Sequence, residues 1–283
     1  MADLKRAFIC GWPVEHSRSP MIHNFWINEY GLQGAYIKYP VSPPDFENFV
    51  QNLHDGEFLG GNVTIPHKEA AFKQIKNLDP VAKRLGAVNT IWIEDGEIHA
   101  ANTDGYGFLA NLDQLAPDWD NSDKKQKTVI VLGAGGAARA IIDAVKSRGF
   151  TNISIVNRTY SRAKKLADFF GKTTHAHKWE ELTNLMLDSA LLINTTSLGM
   201  EGKSPLEIDL GSLPSNCLVS DIVYVPLKTE LLQQAENLGL KTAEGLGMLL
   251  HQAVPGFEKW FGVRPEVSDE LRSLVVRDLE QSL

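Results

Sequence analysis

The chain has 283 residues, and at about 150 residues per domain this length suggests two domains, each able to bury an ordinary hydrophobic core. Lys and Arg number 28 against 35 Asp and Glu, and the net charge of −7 offers no general field for nucleic acid or an anionic membrane. Two cysteines, Cys10 and Cys217, are too few for a disulfide framework or a four-thiolate zinc site, so we expect a reducing cytoplasm. The apolar stretch at residues 7–10 is too short for a secretory signal, and no run approaches the roughly 18 apolar residues of a membrane span.

The N-terminal part of the chain predicts a sheet covered by helices. Apolar residues recur at helical spacing from Phe46 to Leu53, which predicts a helix that starts just after Pro43 and Pro44. Asp95-Gly96 is the strongest hairpin signal in the sequence and predicts an antiparallel pair around it. The predicted strands are residues 5–11, 35–41, 59–63, 90–94 and 98–102.

The C-terminal part predicts a parallel sheet with helical crossovers. Residues 117–127 contain one large apolar residue and form the clearest break in composition along the chain. Buried strands and helical stretches alternate after this break, and helical periodicity recurs at residues 246–261 and 268–281, the second stretch opening with a Ser268 cap. The predicted strands are residues 128–132, 153–157, 190–194 and 217–222.

A glycine-rich loop directly follows the first of these C-terminal strands. The run from Gly133 to Ala138 matches G-x-G-x-x-[G/A] between an apolar strand and a helix, the context in which such a loop binds the diphosphate of a dinucleotide. Gly133 permits the tight turn and Gly135 lets a diphosphate approach the backbone. The alternative is a tight strand–helix turn without a ligand. The predicted contacts are Gly133, Ala134, Gly135, Gly136 and Ala137.

The end of the next strand predicts which dinucleotide binds. An NAD-binding protein usually carries an Asp or Glu about 20 residues beyond the loop, whereas this sequence has Asn157, Arg158 and Thr159 there, with Arg162 one turn later. Two guanidiniums can make charge-assisted bonds to a 2′-phosphate, which predicts NADP. The alternative is a solvated helix start, but a helix N-terminus disfavours cations unless an anion is near.

Three polar segments in the N-terminal part offer chemistry for a small polar substrate. Ser17 and Ser19 lie before a predicted helix, where hydroxyls can bind a carboxylate, although a helix cap is the common role of such residues. Thr64 and Lys68 follow a strand, at the edge where α/β proteins bind ligands, although a lone Lys is usually solvated. Asn89, Asn102 and Asp104 surround the hairpin, where turn formation is the alternative role.

Taken in order, these segments resemble the shikimate dehydrogenase family, and the resemblance extends from residue 9 to about residue 253. It implies NADP-dependent, reversible reduction of 3-dehydroshikimate to shikimate, on the chorismate route to aromatic amino acids. The motifs that carry it are SRSP at 17–20, NVTIPHK at 62–68, GAVNT at 86–90, NTDG at 102–105, GAGGAAR at 133–139, NRT at 157–159, NTTSLGM at 194–200 and GLGMLLHQA at 245–253.

The resemblance also implies a role for each matching residue. Ser17 and Ser19 look like the pair that binds the substrate carboxylate, and Tyr224 resembles a further substrate contact. Ile222 and Gly245 resemble contacts near the nicotinamide. The residues that look like binders of the ring hydroxyls are Thr64, Asn89, Asp104 and Gln252. Pro80 is a departure, because it aligns near a position where some members place a cofactor-side Glu, and we therefore predict no contact there.

Lys68 resembles the acid/base of the family, and the chemistry agrees with this role. Hydride arriving at a ketone carbon leaves an oxyanion, which a Lys ammonium can stabilise and protonate. We expect the Asp104 carboxylate to orient Lys68 and to hold its pKa up, and sequence alone does not decide between a base and an electrostatic clamp. His16 and His67 flank these segments but are as readily supporting or solvated side chains, and no spacing implies a metal.

The predicted architecture is α/β in two domains with a central cleft that closes around the ligands. An α/β substrate-binding domain comprises residues 1–104 and 246–283, and a Rossmann NADP-binding domain comprises residues 105–245. Three other functions remain open: a quinate or quinate/shikimate dehydrogenase that uses NAD, a catalytically silent NADP-binding regulator, and a methylenetetrahydrofolate dehydrogenase. Monomer and homodimer are both open, because no segment is an obvious exposed apolar patch.

Overall fold

The chain forms two units, each built on one six-stranded sheet. A computed structural model of the protein describes residues 5–55, 58–124 and 126–282. The first unit consists of Met1–Thr103 and Gln252–Gln281, and the second of Asp104–His251 with Ser282–Leu283. Both units combine strands with covering helices, and this confirms the predicted α/β class.

The first unit has a mixed sheet, and its topology brings the ends of several strands to one edge. Its elements are β1 (Lys5–Gly11), α1 (Ser19–Glu29), β2 (Gly34–Pro40), α2 (Phe46–Gln51), β3 (Gly60–Val63), α3 (Lys68–Gln74), β4 (Asn77–Leu78), α4 (Pro80–Leu85), β5 (Thr90–Glu94) and β6 (Glu97–Ala101). The strand order is β2-β1-β3-β5-β6-β4, in which β1 is parallel to β2 and β3 while β5 is antiparallel to β3 and β6. The last residues of β1, β3 and β6 therefore lie at the same edge as the first residue of β5.

The second unit has an all-parallel sheet. Its elements are α5 (Asp104–Leu115), β7 (Thr128–Leu132), α6 (Gly136–Ser147), β8 (Ile153–Val156), α7 (Tyr160–Phe170), β9 (Thr174–His177), α8 (Leu182–Met186), β10 (Ser189–Asn194), β11 (Leu218–Asp221), α9 (Glu230–Asn237), β12 (Lys241–Ala243) and α10 (Leu246–His251). The strand order β12-β11-β10-β7-β8-β9 is that of a doubly wound nucleotide-binding fold. Its direction of winding reverses between β7 and β10, where such folds bind their ligands.

The chain then returns to the first unit through α11 (Val254–Phe261) and α12 (Asp269–Ser282). The buried Trp260 indole donates to the Ile91 carbonyl over 2.8 Å, and the Trp26 indole donates to the Glu266 carbonyl over 2.8 Å. These two bonds join the C-terminal segment to the first sheet and to α1. The predicted Ser268 cap is confirmed, because its hydroxyl accepts from the Leu271 N–H over 3.2 Å.

One predicted helix is shortened and another is interrupted at a proline. The helix predicted to start after Pro43 and Pro44 is α2, with a 3₁₀ turn before it at Pro43–Asp45 and a second one after it at Leu53–Asp55. The helix predicted over residues 246–261 is divided into α10 and α11, with Pro255 in the first turn of α11. Proline lacks a donor N–H and clashes with the preceding turn, so it is accommodated where a helix begins. The predicted hairpin at residues 90–102 is confirmed as β5 and β6.

The unit boundaries differ from those expected from composition. The polar segment 117–127 lies inside the second unit, because Trp119 stacks on Phe150 at 5.5 Å and Arg148 pairs with Asp113 and Asp120. Helix α10 also belongs to the second unit, whereas the sequence analysis assigned it to the first. A Cβ at Gly247 in α10 would lie 1.8 Å from Asn111 Oδ1 of α5, so glycine permits this close packing.

In the part of the chain that the structure describes, no helix is both long and apolar enough to cross a bilayer. Among the same residues, no group of three or more His, Cys, Asp or Glu side chains is arranged to hold a metal ion.

Candidate functional site

The polar residues predicted in the first unit lie along the edge where β1, β3 and β6 end. Thr64 follows β3, Asn89 precedes β5, and Thr103 follows β6. Backbone bonds join these segments: the Val63 N–H donates to the Asn89 carbonyl over 2.8 Å, and the Asn89 N–H donates to the Ala101 carbonyl over 3.0 Å. We call the group formed by Thr64, Asn89, Thr103, Lys68 and the Ser17–Ser19 loop the first-unit edge.

The two serines of the first-unit edge, Ser17 and Ser19, lie on one tight turn at the start of α1, which we call the serine turn. The Ser17 hydroxyl accepts from the Ser19 N–H over 3.2 Å, so the two residues are held together. Ser19 is buried, with 4% of its surface exposed, whereas Ser17 is half-buried. Arg18 turns to α12, where its Nε donates to Asp278 over 2.8 Å. The turn therefore presents hydroxyl groups, while its guanidinium has a structural partner.

The turn that carries Thr64 and Lys68 packs closely against the end of β1. A Cβ at Gly11 would lie 2.4 Å from the Thr64 side chain, so glycine permits this approach. The Thr64 N–H donates to the Cys10 carbonyl over 2.9 Å, and Lys68 begins α3. The Lys68 carbonyl accepts from the Val88 N–H over 2.9 Å, so the turn is also joined to the segment before Asn89.

His67 supports this turn rather than facing a ligand. Only 2% of it is exposed, its ring Nε2 lies 2.7 Å from the Val41 carbonyl, and the ring stacks on Phe46 at 4.3 Å. A buried ring held by a carbonyl and an aromatic face orients the backbone next to it. The structure thus gives His67 a supporting role just before Lys68.

Asn89 is held in one orientation by a dense set of hydrogen bonds. Its Nδ2 donates to the Thr103 hydroxyl over 3.1 Å, and its Oδ1 accepts from the Thr103 N–H and the Thr90 hydroxyl, each over 2.9 Å. The Thr103 hydroxyl in turn lies 2.8 Å from the carbonyl of Gln252, to which it donates. Gln252 is therefore joined to the first-unit edge through its backbone.

A deeper layer of polar side chains, which no sequence pattern predicted, supports the first-unit edge. The Tyr36 hydroxyl donates to Asn62 Oδ1 over 2.6 Å, and Asn62 Nδ2 donates to the Asn89 carbonyl over 3.1 Å. Both residues are buried. Asn62 belongs to the quoted NVTIPHK segment, but Tyr36 is an aromatic residue of a strand and gives no local signal.

In the second unit, the glycine-rich loop from Gly133 to Ala138, which we call the phosphate loop, lies at the switch point of the sheet. Gly133 has a φ of 110°, and a Cβ there would lie 2.6 Å from Thr195 Oγ1 at the end of β10. At Gly135 and Gly136 a Cβ would meet nothing within 4 Å, and no side chain caps the N-terminus of α6. Open space beside uncapped N–H groups fits a diphosphate at the start of this helix.

The predicted 2′-phosphate residues lie where β8 leads into α7: Asn157, Arg158 and Thr159 join the two elements, and Arg162 is in the first turn of α7. Asn157 Nδ2 donates to the Thr159 carbonyl over 2.9 Å, which closes a short turn at the N-terminus of α7. Arg158 and Arg162 are both exposed, and among the described residues neither is paired with a carboxylate. Two exposed guanidiniums at a helix N-terminus fit a dianionic phosphate.

The segment after β11 brings together two further predicted residues. A Cβ at Gly245 would lie 2.4 Å from the Ile222 carbonyl oxygen, so only glycine permits this approach of the two backbones. Tyr224, two residues along the same segment, is half-buried. The second unit therefore places Ile222 and Gly245 in contact.

Asp221 anchors this segment, and the sequence analysis did not identify it. Its carboxylate accepts from Asn194 Nδ2 over 2.9 Å, the Thr229 hydroxyl over 2.7 Å and the Val223 N–H over 3.0 Å. Burial raises the pKa of the Asp221 carboxyl to about 6, and these bonds oppose that effect. The available signal was an acidic residue at the end of an otherwise uncharged, buried strand.

Pro80 has a structural explanation at the position where the family resemblance fails. It is the first residue of α4, and the Asp79 carboxylate caps that helix by accepting from the Ala82 N–H over 2.6 Å. Proline suits a first helical position because its missing N–H would have no partner there.

The predicted residues fall into two groups, one in each unit. The first unit holds Ser17, Ser19, Thr64, Lys68, Asn89 and Gln252. The second unit holds Asp104, the phosphate loop, the 2′-phosphate residues, Ile222, Tyr224 and Gly245. Lys68 and Asp104 therefore belong to different units, and their pairing stays a prediction.

Comparison with protein families gives three matches along the chain. The "Shikimate dehydrogenase substrate binding domain" matches residues 9–91, and "Shikimate / quinate 5-dehydrogenase" matches residues 115–200. The "Shikimate 5'-dehydrogenase C-terminal domain" matches residues 245–269. The three matches follow the order of the segments described above.

Individual proteins resemble this chain over nearly its whole length. The shikimate dehydrogenase (NADP(+)) of Chelativorans sp. strain BNC1 is 54% identical over 278 residues, with 98% of each chain covered. The shikimate 5-dehydrogenase of Thermus thermophilus, solved with NADP(H) and shikimate, has a TM-score of 0.83 at 32% identity, covering 99% of this chain and 100% of that one. The quinate dehydrogenase of Corynebacterium glutamicum, solved with NAD, has a TM-score of 0.85 at 27% identity and 99% coverage of both chains.

Proposed function

This chain belongs to the shikimate dehydrogenase family, and from that membership we propose that it catalyses the NADP-dependent, reversible reduction of 3-dehydroshikimate to shikimate, a step of aromatic amino acid biosynthesis. The observation that carries the proposal is its 54% identity to a shikimate dehydrogenase (NADP(+)) across 98% of the chain. The first-unit edge and the phosphate loop supply the two kinds of binding group that this reaction needs.

The first-unit edge supports the recognition of a hydroxylated ring acid. The Ser17 and Ser19 hydroxyls, held on one turn, bind the substrate carboxylate, since hydroxyl donors satisfy a carboxylate without cancelling its charge. The ring hydroxyls are bound by Thr64, Asn89, Asp104 and Gln252, with Tyr224 as a further contact. Fixed amide and hydroxyl groups discriminate strongly among such substrates, because a wrong partner leaves a buried polar group unpaired.

Lys68 is the acid/base in this proposal. Reduction places negative charge on the ketone oxygen, and an ammonium within about 3 Å of that oxygen stabilises the charge and then supplies the proton. In the reverse direction the amine takes the proton from the substrate hydroxyl. Its position at the start of α3 is supported by the buried His67 ring on one side and by the bond from the Val88 N–H on the other. Asp104 orients the ammonium and accepts from the adjacent ring hydroxyl.

The second unit supports NADP as the cofactor. Bound NADPH supplies the hydride to the ketone carbon. The open backbone at Gly135 and Gly136, with Gly133, Ala134 and Ala137, holds the diphosphate through N–H groups at the start of α6. The 2′-phosphate is held by Asn157, Arg158, Thr159 and Arg162. Ile222 and Gly245, which contact each other, bind near the nicotinamide.

The principal alternative is oxidation of quinate with NAD, the substrate and cofactor named for one structural relative. The exposed Arg158 and Arg162 favour NADP over NAD. The decisive experiment follows absorbance at 340 nm with shikimate or quinate, each with NADP or NAD. Reduction of NADP with shikimate alone is the expected result. Preference for quinate or NAD would identify the other dehydrogenase, and NADP binding without turnover in any combination would identify a regulator.

The cellular setting follows from the same proposal. The enzyme acts in the cytoplasm on a small molecule and takes no nucleic acid partner, in keeping with its net charge of −7. Cys10 and Cys217 are buried free thiols, in agreement with a reducing compartment. It works as a monomer or a homodimer.

A further inference from the structure

A continuous chain of buried hydrogen bonds connects Tyr36 with Asn89. Its central members are Tyr36, Asn62 and Thr90, with 1%, 5% and 1% of their surfaces exposed. Tyr36 comes from β2, Asn62 from β3 and Thr90 from β5, so the chain of bonds runs across the first sheet. We call these three residues the Tyr36–Asn62–Thr90 bridge.

The direction of each bond in the bridge is determined by its neighbours. Asn62 Nδ2 donates to the Asn89 carbonyl and to the Thr90 hydroxyl, over 3.1 and 3.2 Å, which leaves Asn62 Oδ1 as the acceptor for Tyr36 over 2.6 Å. The single phenol proton is therefore used. Tyr36 is tied to the helix that begins at Ser19, because Asn24 of α1 donates to the Tyr36 carbonyl and accepts from the Tyr36 N–H, each over 2.9 Å. The Ser19 side chain also acts on the Tyr36 hydroxyl and lowers its pKa, against the larger effect of burial.

The other end of the bridge continues into the residues proposed to bind the ring hydroxyls. The Thr90 hydroxyl donates to Asn89 Oδ1 over 2.9 Å, and Asn89 Nδ2 donates to the Thr103 hydroxyl over 3.1 Å. Thr103 then donates to the Gln252 carbonyl over 2.8 Å. Because each group has one orientation that satisfies its neighbours, a shift at one end would break a buried bond.

Aromatic packing holds the Tyr36 ring. His23 stacks on it at 4.1 Å, and Trp260 lies 5.7 Å away. His23 is fully buried, and this burial lowers the pKa of its imidazole to about 3, so the ring stays neutral and adds no charge beside the bridge. Packed on these rings and bonded at its hydroxyl, Tyr36 has little freedom to move.

We propose that the Tyr36–Asn62–Thr90 bridge sets the distance and direction between the serine turn and Asn89, and that its three members are positioning residues that determine which ring acid is accepted. The proposal rests on the proposed function, because it takes the serine turn as the carboxylate site and Asn89 as a hydroxyl site. Shikimate holds its carboxylate in the plane of a ring double bond, whereas quinate carries it on a tetrahedral carbon. A fixed distance between the serine turn and Asn89 favours shikimate, whose carboxylate lies in the plane of the double bond.

Thr90 provides the sharper test, because two substitutions separate its hydroxyl from its shape. Thr90→Val keeps the side-chain shape and removes the hydroxyl, whereas Thr90→Ser keeps the hydroxyl. We expect Thr90→Val to raise the KM for shikimate about 10-fold, with the KM for NADP changed less than about twofold, since one buried hydrogen bond to a substrate-binding group is lost. Thr90→Ser is expected to stay within about threefold of the parent enzyme, since it keeps that bond.

Tyr36 tests the other end of the bridge and has a matched control on the same strand. Tyr36→Phe removes the hydroxyl that donates to Asn62, while Tyr39→Phe removes a hydroxyl that bonds to no described residue. We expect Tyr36→Phe to raise the KM for shikimate about 10-fold and to lower the preference for shikimate over quinate, with kcat changed less than about threefold. Tyr39→Phe should match the parent enzyme in every constant.

The outcomes separate this proposal from the proposed function. If the parent enzyme does not oxidise shikimate with NADP, the proposed function fails and the bridge has no substrate to position. If the parent is active and Thr90→Val and Tyr36→Phe match their controls in KM and in substrate preference, the bridge proposal is overturned. An equal loss of kcat for both substrates, with a lowered unfolding midpoint and an unchanged KM, would also overturn it, because that pattern indicates a purely structural role.

Discussion

The first-unit edge and the phosphate loop are built in opposite ways. At the first-unit edge, Asn89 and Ser19 are buried. Asn89 is held by the hydroxyls of Thr90 and Thr103, and the Ser19 N–H donates to the Ser17 hydroxyl. At the phosphate loop, Gly135 and Gly136 are exposed, with open space where a side chain would be. A ring acid with several hydroxyls requires directional side chains fixed in advance, whereas a diphosphate requires only backbone N–H groups and room to approach.

Each unit also contains one buried titratable group whose pKa is shifted by burial, His23 in the first unit and Asp221 in the second. Burial lowers the pKa of the His23 imidazole to about 3 in the first unit and raises the pKa of the Asp221 carboxyl to about 6 in the second. Burial disfavours the charged form in both cases, but one group loses a positive charge and the other a negative one. The contributions of these two groups to stability therefore change with pH in opposite directions.

The largest expected effect is at Lys68 in the first unit. Lys68→Ala should lower kcat at least about 100-fold, because the developing oxyanion loses its proton donor, with little change in NADP affinity. The measurement is steady-state turnover with a separate titration of NADP binding. Lys73→Ala, on an exposed position of the same helix, is the control and should retain full activity. Turnover like that of the parent in Lys68→Ala would remove Lys68 from the mechanism.

A smaller effect is expected at the 2′-phosphate residues of the second unit. Replacing Arg158 and Arg162 together with Gln should raise the KM for NADP about 30-fold while leaving the KM for NAD unchanged, because only NADP carries the phosphate that they bind. Lys165→Gln, on the same helix, controls for a general loss of positive charge. Equal changes in the KM of both cofactors would contradict the assignment.

Two glycines of the phosphate loop should separate cofactor binding from stability. Gly135→Ala places a methyl group in open space, so it should raise the KM for NADP about 10-fold without lowering the unfolding midpoint. Gly133→Ala meets Thr195 Oγ1 at 2.6 Å at a φ of 110°, so it should lower the midpoint as well. Kinetics and thermal unfolding of both variants are the measurements, and a stable Gly133→Ala enzyme would show that the loop adapts.

The smallest expected effects concern pH and sharpen the comparison of the two buried groups. Because its folded pKa lies below 6.5, His23 contributes stability that is present above pH 6.5 and is lost as pH falls toward about 3. Because its folded pKa lies above 3.8, Asp221 contributes stability that is present below pH 3.8 and is lost as pH rises through about 6. Between pH 7 and pH 5 the parent protein therefore loses stability at His23 and gains it at Asp221.

Urea unfolding at the two pH values checks these signs. The unfolding free energy of His23→Phe minus that of the parent should rise by about 2 kcal/mol from pH 7 to pH 5. The corresponding difference for Asp221→Asn should fall by about 1 kcal/mol over the same range. A difference from the parent that does not change with pH would exclude the substituted residue as the source of the pH dependence.

The sequence predicted those parts of the fold that depend on local patterns. The apolar strand before Gly133, the hairpin at Asp95-Gly96 and the Ser268 cap each have a signal within a few residues, and the structure confirms each element. The break in composition at residues 117–127 does not mark the boundary between the units, which lies between Thr103 and Asp104. Residues 117–127 are polar in composition, yet Trp119 and its neighbours join them to the second unit through contacts with distant residues.

In the candidate site, too, some features have a local sequence signal and others depend on contacts between distant residues. The sequence by itself singled out the candidate residues, because Lys68, the two serines and the glycine loop belong to short segments whose order is specific to one family. Only the tertiary structure decided what surrounds them: Asn62 bonded to both Tyr36 and the Asn89 carbonyl, His67 bonded to Val41 just before Lys68, and Asp221 at the end of β11. Each of these is a buried polar group that needs a partner from a distant part of the chain, and the pairing of distant strands, rather than local sequence, supplies that partner.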